Sequence, residues 1–254
     1  MNMLELSRQL GQDLAMILAR STVFTQMVKG AQRQRQVNLV SGSEARLKTH
    51  YFRSTHQAIP LSEAPGHTRT DRRFEPLVTI YINTDREVTT EQRCHALIHE
   101  LAHATRPSAR FPDPRLVSED FYVFDVVKDA AADEGRAIFS QLLVRRELQQ
   151  VAGIDIGPLP GISNKDFYEE ALDNVLSELK AGGDNRAIQL RAHDAIGSKY
   201  LDETKMASGT SYRQEIEAAA RKMFRVQASV MVPSYIPELN HGSDLTFGHT
   251  DGVQ

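Results

Sequence analysis

The sequence predicts an α+β fold in which a small β-sheet and one capped helix precede a mostly helical C-terminal half. Three observations support this: a β-branched run at 77–83, a helix-start pattern directly after it, and helical periodicity beyond residue 118. We interpret the chain as a single domain over 1–254. It would have an N-terminal α/β lobe to about residue 110, a helical lobe at about 115–235 and a loose tail at 240–254.

The N-terminal region is predicted to hold one helix and then two short strands. Leucine, isoleucine and phenylalanine recur at helical spacing over 4–29, and Gly30 follows as a helix stop. Residues 37–40 and 47–52 have strand character, and the turn residues 41–43 (Ser-Gly-Ser) separate them.

The strand at 77–83 is the clearest in the chain, because it is β-branched and aromatic. The polar, proline-containing stretch 54–73 before it is predicted to be a long loop. The strand itself lies either at the edge of the sheet, along a substrate cleft, or in the interior. After it, Thr89 and Gln92 form a capping-box pattern, which predicts the start of a helix that ends before Pro107.

The C-terminal half is predicted to be helical. A proline-rich loop at 107–117 leads into a long helix at about 118–150 that ends near Gly153. The breakers at 157–161 are followed by three further predicted helices, at 164–179, 185–196 and 211–231.

Composition excludes several classes of function. The 254 residues carry a net charge of -3, so no strong positive field attracts nucleic acid. A single cysteine, Cys94, rules out an intrachain disulfide and a thiolate zinc finger. We find neither an apolar run long enough to span a membrane nor a Sec signal pattern, and expect a protein that is cytoplasmic or secreted without such a signal. The oligomeric state stays open.

The chemically informative motif is His99-Glu100-Leu101-Ala102-His103, inside the capped helix. Histidines four residues apart lie on one helix face, about 5–6 Å apart at Cβ, and can both bind one Zn²⁺. Glu100 points away from that pair, towards the position of a metal-activated water. Its carboxylate is suited to remove a proton from this water and pass it to a leaving amine.

This motif, behind a β-branched strand, resembles the active-site helix of zincin metallopeptidases. The resemblance covers about 75–145 and implies a zincin-like fold, a zinc cofactor and a protein or peptide substrate. It extends to several bacterial families of metallopeptidases and, more loosely, to secreted effector proteases similar to clostridial toxin light chains. Arg106 and Ala109 stand where metzincins need glycine and a third ligand, so that subfamily is excluded.

A third metal ligand is expected on the long helix after the motif, as in zincins that use a glutamate. We choose Glu134, because it interrupts an otherwise apolar helical stripe and a buried carboxylate is costly unless it is paired or bound to a metal. Gly135 beside it permits close helix packing. The alternative for Glu134 is a buried ion pair with Arg136 or Arg93. The other candidates are Glu119, Asp120, Asp125, Asp129 and Asp133, the last also a possible partner for a ligand histidine.

Two further residues are candidates for substrate contact: Tyr81 on strand 77–83, and His95 one turn before His99. The competing interpretation of His95 is a partly buried structural residue. An oxyanion donor is also expected, and the sequence does not distinguish among Tyr200, Tyr212, Tyr235 and His241. Two rival functions remain: a catalytically weak zinc-binding module for recognition or regulation, and a helical interaction protein whose motif is accidental.

Overall fold

The computed structural model describes residues 3–34, 36–55, 66–70, 77–106, 111–160, 162–206 and 208–230. Within them the chain is mostly helical with one small sheet, which confirms the coarse α+β class. The strands are β1 (Gln36–Gly42), β2 (Gly66–Thr70) and β3 (Leu77–Asn83). The helices are α1 (Met3–Leu10), α2 (Gln12–Ala19), α3 (Thr22–Gln34), α4 (Glu44–Thr55), α5 (Thr90–Ala104), α6 (Glu119–Glu147), α7 (Lys165–Lys180), α8 (Asn185–Glu203) and α9 (Tyr212–Val230).

The N-terminal region forms three helices, so the prediction of one continuous helix was wrong. Gly11 adopts a φ of 101°, which the α-helix does not allow, and this separates α1 from α2. Ser21 then caps α3, since its hydroxyl accepts from the backbone N–H of Phe24 at 3.0 Å. The predicted stop, Gly30, lies inside α3, which continues for four more residues to Gln34.

The strand predicted at 37–40 is confirmed as the core of β1, but the strand predicted at 47–52 was wrong, because these residues belong to α4. The turn ends with Ser43, whose backbone carbonyl accepts from the N–H of Leu47 and so closes the first helical turn. Glu44 and Lys48 form an i,i+4 ion pair on the solvent side. Leu47 is buried against Tyr81 of the sheet, and this contact packs α4 on the sheet.

The sheet has the order β1-β3-β2, with β3 parallel to β1 and antiparallel to β2. β3 is therefore the interior strand of the sheet and not an edge strand along a cleft. Its buried residues are Val78, Ile80, Tyr81 and Ile82. The edge strand β2 lies within the stretch predicted to be a loop, so that prediction was wrong for 66–70; residues 56–65 and 71–76 lie outside the described residues.

Helix α5 begins with the predicted capping box, which is confirmed. The Thr89 hydroxyl accepts from the Gln92 N–H at 3.2 Å, and the Gln92 side chain accepts from the Thr89 N–H at 2.9 Å. The helix is buried between the sheet and α6. Its residues Cys94, Leu97, Ile98 and Leu101 join the main hydrophobic core with α2, α3 and the strands.

The long helix α6 is confirmed and continues as one π-helical turn, Leu148–Ala152, to Gly153 in the left-handed conformation. It contacts α5, α8 and α9. Its crossing with α8 depends on two glycines. A Cβ on Gly135 would lie 1.8 Å from the His193 carbonyl oxygen, and one on Gly197 would lie 1.6 Å from the Ala131 carbonyl oxygen. The two backbones are therefore in direct contact.

The remaining predicted helices are confirmed as α7, α8 and α9, although α8 continues seven residues beyond the predicted end. The apolar stripe predicted around Glu134 on α6 includes Phe124, Val127, Ala131 and Ile138. The last three are buried, but Phe124 is 63% exposed and does not belong to the buried face. The predicted loose tail lies outside the described residues. No described helix is both long and apolar enough to cross a lipid bilayer.

We expect Gly197→Ala to destabilise the protein, because the added methyl group has no space between two helix backbones. Overpacking of this kind typically costs about 1–3 kcal/mol, and backbone clashes cost more. Gly30→Ala is the matched control, since no atom lies within 4 Å of its added Cβ and alanine favours the helix. Urea unfolding followed by circular dichroism measures both variants. Equal midpoints for the two would contradict the close contact.

Candidate metal centre

Three side chains from two helices converge on one point. His99 and His103 lie on one face of α5, and their Nε2 atoms are 3.0 Å apart. The Oε2 atom of Glu134, on α6, lies 3.3 Å from the Nε2 of His99 and 3.8 Å from that of His103. Among the described residues, this is the one group of three such side chains whose ligand atoms lie close enough to hold a metal ion. The geometry is thus the one expected from the sequence.

The separations fit a tetrahedral ion. Zinc bonds of about 2.0–2.1 Å place tetrahedral ligand atoms about 3.3–3.4 Å from one another. The three distances between the ligand atoms, 3.0, 3.3 and 3.8 Å, bracket that value. Two nitrogens and one carboxylate oxygen are also a donor set that zinc accepts. The side chains present therefore fit the ion.

The tautomer of His103 is fixed by Asp133. The carboxylate Oδ2 accepts a hydrogen bond from the His103 Nδ1 at 2.8 Å, so the proton of a neutral ring is on Nδ1 and the lone pair is on Nε2. Arg106 and Arg136 each donate to the same carboxylate at 2.9 Å. Although burial raises the pKa of Asp133, its interactions with His103 and both arginines lower it well below its usual range. Asp133 therefore remains an anionic acceptor.

The tautomer of His99 is fixed by Gln141, a buried amide two turns after Glu134 on α6. The Gln141 Nε2 atom donates to the backbone carbonyl of His95 at 3.0 Å, and a carbonyl can only accept. The Oε1 atom must then face His99, whose Nδ1 lies 3.2 Å away and donates to it. The Nε2 of His99 therefore also presents a lone pair towards the centre.

The two lone pairs and the carboxylate make the centre attractive to a cation. Burial lowers the pKa of His103, but the carboxylates of Glu134 and Asp133 outweigh burial and raise this pKa to about 9. For Glu134, burial raises the pKa, but the neighbouring histidines outweigh burial and lower this pKa below its usual value. A metal ion that binds here at neutral pH must displace the proton from His103, because a histidine ligand coordinates in its neutral form.

Glu100 lies next to this centre. It is 7% exposed, and its charge contributes to the pKa of His103, Tyr200 and Tyr212, which belong to three different helices. The charge of Glu100 therefore lies near the predicted ligands. This placement suits a base that acts on a molecule bound at the centre.

Two tyrosines from the C-terminal helices complete the described surroundings. Tyr212, the first residue of α9, donates from its hydroxyl to the Oε1 of Glu134 at 3.3 Å, and its ring lies edge-on to Tyr200 with centroids 6.3 Å apart. The charge of Glu134 is the main cause of the raised pKa of Tyr212, while burial is the main cause for Tyr200. Both phenols thus stay protonated at neutral pH. The other two candidate oxyanion donors, Tyr235 and His241, lie outside the described residues.

The two candidates for substrate contact are placed elsewhere. Tyr81 is 1% exposed and packs against Leu47, so its side chain does not reach a cleft. His95 is also 1% exposed, and its Nε2 lies 3.1 and 3.2 Å from the carbonyl oxygens of Ile156 and Gly157. Burial lowers its pKa, which favours the neutral ring. Burial leaves both side chains little surface for contact with a substrate, and it favours the structural interpretation of His95.

The alternative pairing of Glu134 with an arginine is not what the structure has. Arg136 donates to Asp133 and to the Ala102 carbonyl, and Arg93 donates to the Asp85 carbonyl. Sequence reasoning missed the roles of Gln141, Arg106 and Arg136. Only Gln141 left a usable signal, as a polar residue seven positions after Glu134 on a buried helix face.

No protein-family model matches this chain, and neither the curated proteins nor the solved structures compared with it contain a match. Any function assigned to the chain therefore depends on the side-chain chemistry of the described residues. The metal centre is the strongest feature of that chemistry.

We expect Gln141→Leu to weaken zinc binding about 10- to 100-fold, the usual effect of removing a partner that orients a ligand histidine. Leucine keeps most of the volume but removes the acceptor for the His99 Nδ1. Competition with a chromophoric chelator measures the dissociation constant. Gln149→Leu, at an exposed position just beyond α6, is the control. An unchanged constant for Gln141→Leu would show that the amide does not orient His99.

Proposed function

We propose that this chain is a zinc-dependent metallopeptidase that hydrolyses peptide bonds in a protein or peptide substrate. The observation that supports it best is the convergence of His99, His103 and Glu134, with the charge of Glu100 close enough to act on His103. The resemblance of the α5 motif to zincin metallopeptidases supports the same reaction class. Its chemistry needs two imidazoles, one anionic ligand and a separate base, and each has a candidate here.

In this proposal, His99, His103 and Glu134 hold the zinc ion. When bound, zinc polarises the substrate carbonyl and lowers the pKa of a water molecule to about 7. Glu100 takes the proton from the attacking water and delivers it to the nitrogen of the leaving amine. This carboxylate is 7% exposed, which limits its contact with bulk water.

The residues around the ligands have orienting roles. Asp133 and Gln141 hold the two imidazoles in the tautomer that presents Nε2, so little reorganisation is needed when the ion binds. The Tyr212 hydroxyl already donates to Glu134, which leaves the protonated phenol of Tyr200, near Glu100 and Glu134, as the described candidate for stabilising an oxyanion. The proposal thus assigns a role to each polar side chain around the centre.

We expect Glu100→Gln to retain zinc and to lose peptide hydrolysis by about 100- to 10,000-fold, the usual contribution of a general base. Glutamine has the same shape but cannot accept the proton. Cleavage of a quenched fluorescent peptide library, together with metal analysis of the same sample, measures both properties. The control is Glu91→Gln, which makes the same change at an exposed site on α5. Full activity in Glu100→Gln would rule out the proposed base.

We expect wild-type protein to contain about one zinc ion per chain, and Glu134→Ala and His103→Ala to lose it, because each removes one of three protein ligands. Chelation should lower the thermal midpoints of the wild type and of a control that keeps the site, but not those of the two ligand variants, since zinc at about 100 times its dissociation constant adds about 2.7 kcal/mol of stability. Glu170→Ala, at an exposed position on α7, is the control. Zinc in wild-type protein without cleavage of any peptide would favour the recognition module over the peptidase.

A further inference from the structure

The two carboxylate oxygens of Glu134 have different partners. Oε2 faces the histidines, at 3.3 Å from the Nε2 of His99 and 3.8 Å from that of His103. Oε1 accepts the hydrogen bond from the Tyr212 hydroxyl at 3.3 Å. A phenol O–H can donate only one hydrogen bond, and here it is directed at the oxygen that does not face the imidazoles.

The difference between the oxygens affects the coordination of a metal ion. A carboxylate binds a metal through one or both of its oxygens. If Glu134 used both, its second oxygen would take a position that a hydrolytic zinc site leaves to water or substrate. Binding through Oε2 alone gives two nitrogens and one oxygen, with the fourth tetrahedral position open.

Tyr212 is well placed to enforce this, because its own position is fixed. Its backbone N–H donates to the Thr204 carbonyl at 2.9 Å, and a β-bridge between Lys205 and Ser211 closes the connection from α8 to α9 just before it. The ring packs on a cluster formed with α6 through Val127 and Ala131. The hydroxyl therefore approaches Glu134 from a supported position.

We propose that Tyr212 is a positioning residue that holds the Oε1 of Glu134 away from the metal, so that Glu134 binds through Oε2 alone and one coordination position stays open. This inference rests on the metal site of the proposed function. It adds a role for α9, which supplies no ligand, in setting the coordination number. Without the phenol, Glu134 turns and binds the ion through both oxygens.

The test uses Co²⁺ in place of zinc in the full-length chain, because the visible absorption of Co²⁺ is strong in four-coordinate sites and weakens as the coordination number rises. We expect an intense four-coordinate spectrum for the wild type, and for Tyr212→Phe a loss of intensity with metal binding about 10-fold weaker. Phenylalanine keeps the ring packing, and far-ultraviolet circular dichroism verifies the fold. Tyr168→Phe on α7 is the matched control, since it also removes a hydrogen bond from a tyrosine to a glutamate, in this case Glu203.

The outcomes separate this inference from the metal site itself. A Tyr212→Phe spectrum and Co²⁺ affinity equal to those of the wild type would overturn the positioning role while leaving the metal site intact. A wild-type chain that binds neither Co²⁺ nor zinc would overturn the metal site and this inference with it. A general loss of stability is excluded as the cause if Tyr168→Phe keeps the wild-type spectrum.

Discussion

The direct backbone contact between α6 and α8 determines how the rest of the helical part is arranged. Gly135 and Gly197 let the two helices approach so closely that a methyl group on either would overlap a carbonyl oxygen. The same helix α6 also packs against α5. It supplies the ligand Glu134 and the two residues that orient the histidines, Asp133 and Gln141. A small shift of one helix would thus displace three components of the centre together.

The charged groups around Glu134 and its neighbour Asp133 differ, and this difference makes Glu134 the better candidate for a metal ligand. Asp133 is already neutralised by Arg106, Arg136 and the N–H of His103. A carboxylate with three donors has little basicity left for a metal ion. Glu134 has the histidine nitrogens on one side and a single phenol on the other, so a zinc ion bound by both histidines would be the cation that balances its charge. The arginines thus leave Asp133 as an orienting residue and Glu134 as the candidate ligand.

Local signals predicted some parts of the fold and failed for others. Strand β3 and the start of α5 were predictable, because β-branched residues and a capping box act over a few residues of sequence. The break between α1 and α2 depends on the single residue Gly11. A glycine is compatible with a helical sequence pattern, so the break becomes evident only from its backbone angle. Helix α4 was mistaken for a strand, because its aromatic and threonine residues have strand propensity. Its packing on the sheet through Leu47 and Tyr81 is a tertiary contact that the local sequence does not show.

The same limit applies to the centre. Spacing alone placed His99, Glu100 and His103 on one helix, and the cost of a buried carboxylate selected Glu134 from six acidic residues. The hydrogen bond from Tyr212 joins residues 78 positions apart, so no local pattern encodes it. The burial of Tyr81 and His95 was not predictable for a related reason, since sequence gives the face of a strand or helix but not what covers it.

The number of candidate ligands bears on whether a bound zinc ion would be structural or hydrolytic. Structural sites are usually closed by four protein ligands, whereas hydrolytic sites use three and leave the fourth to water. Three ligand side chains converge among the described residues, and the histidine side chains keep 18% and 16% of their surface exposed. Glu100 is 7% exposed, and its charge acts on His103. A carboxylate close to the three candidate ligands is a group that a peptidase would use for proton transfer, and this is why we propose hydrolysis rather than metal storage.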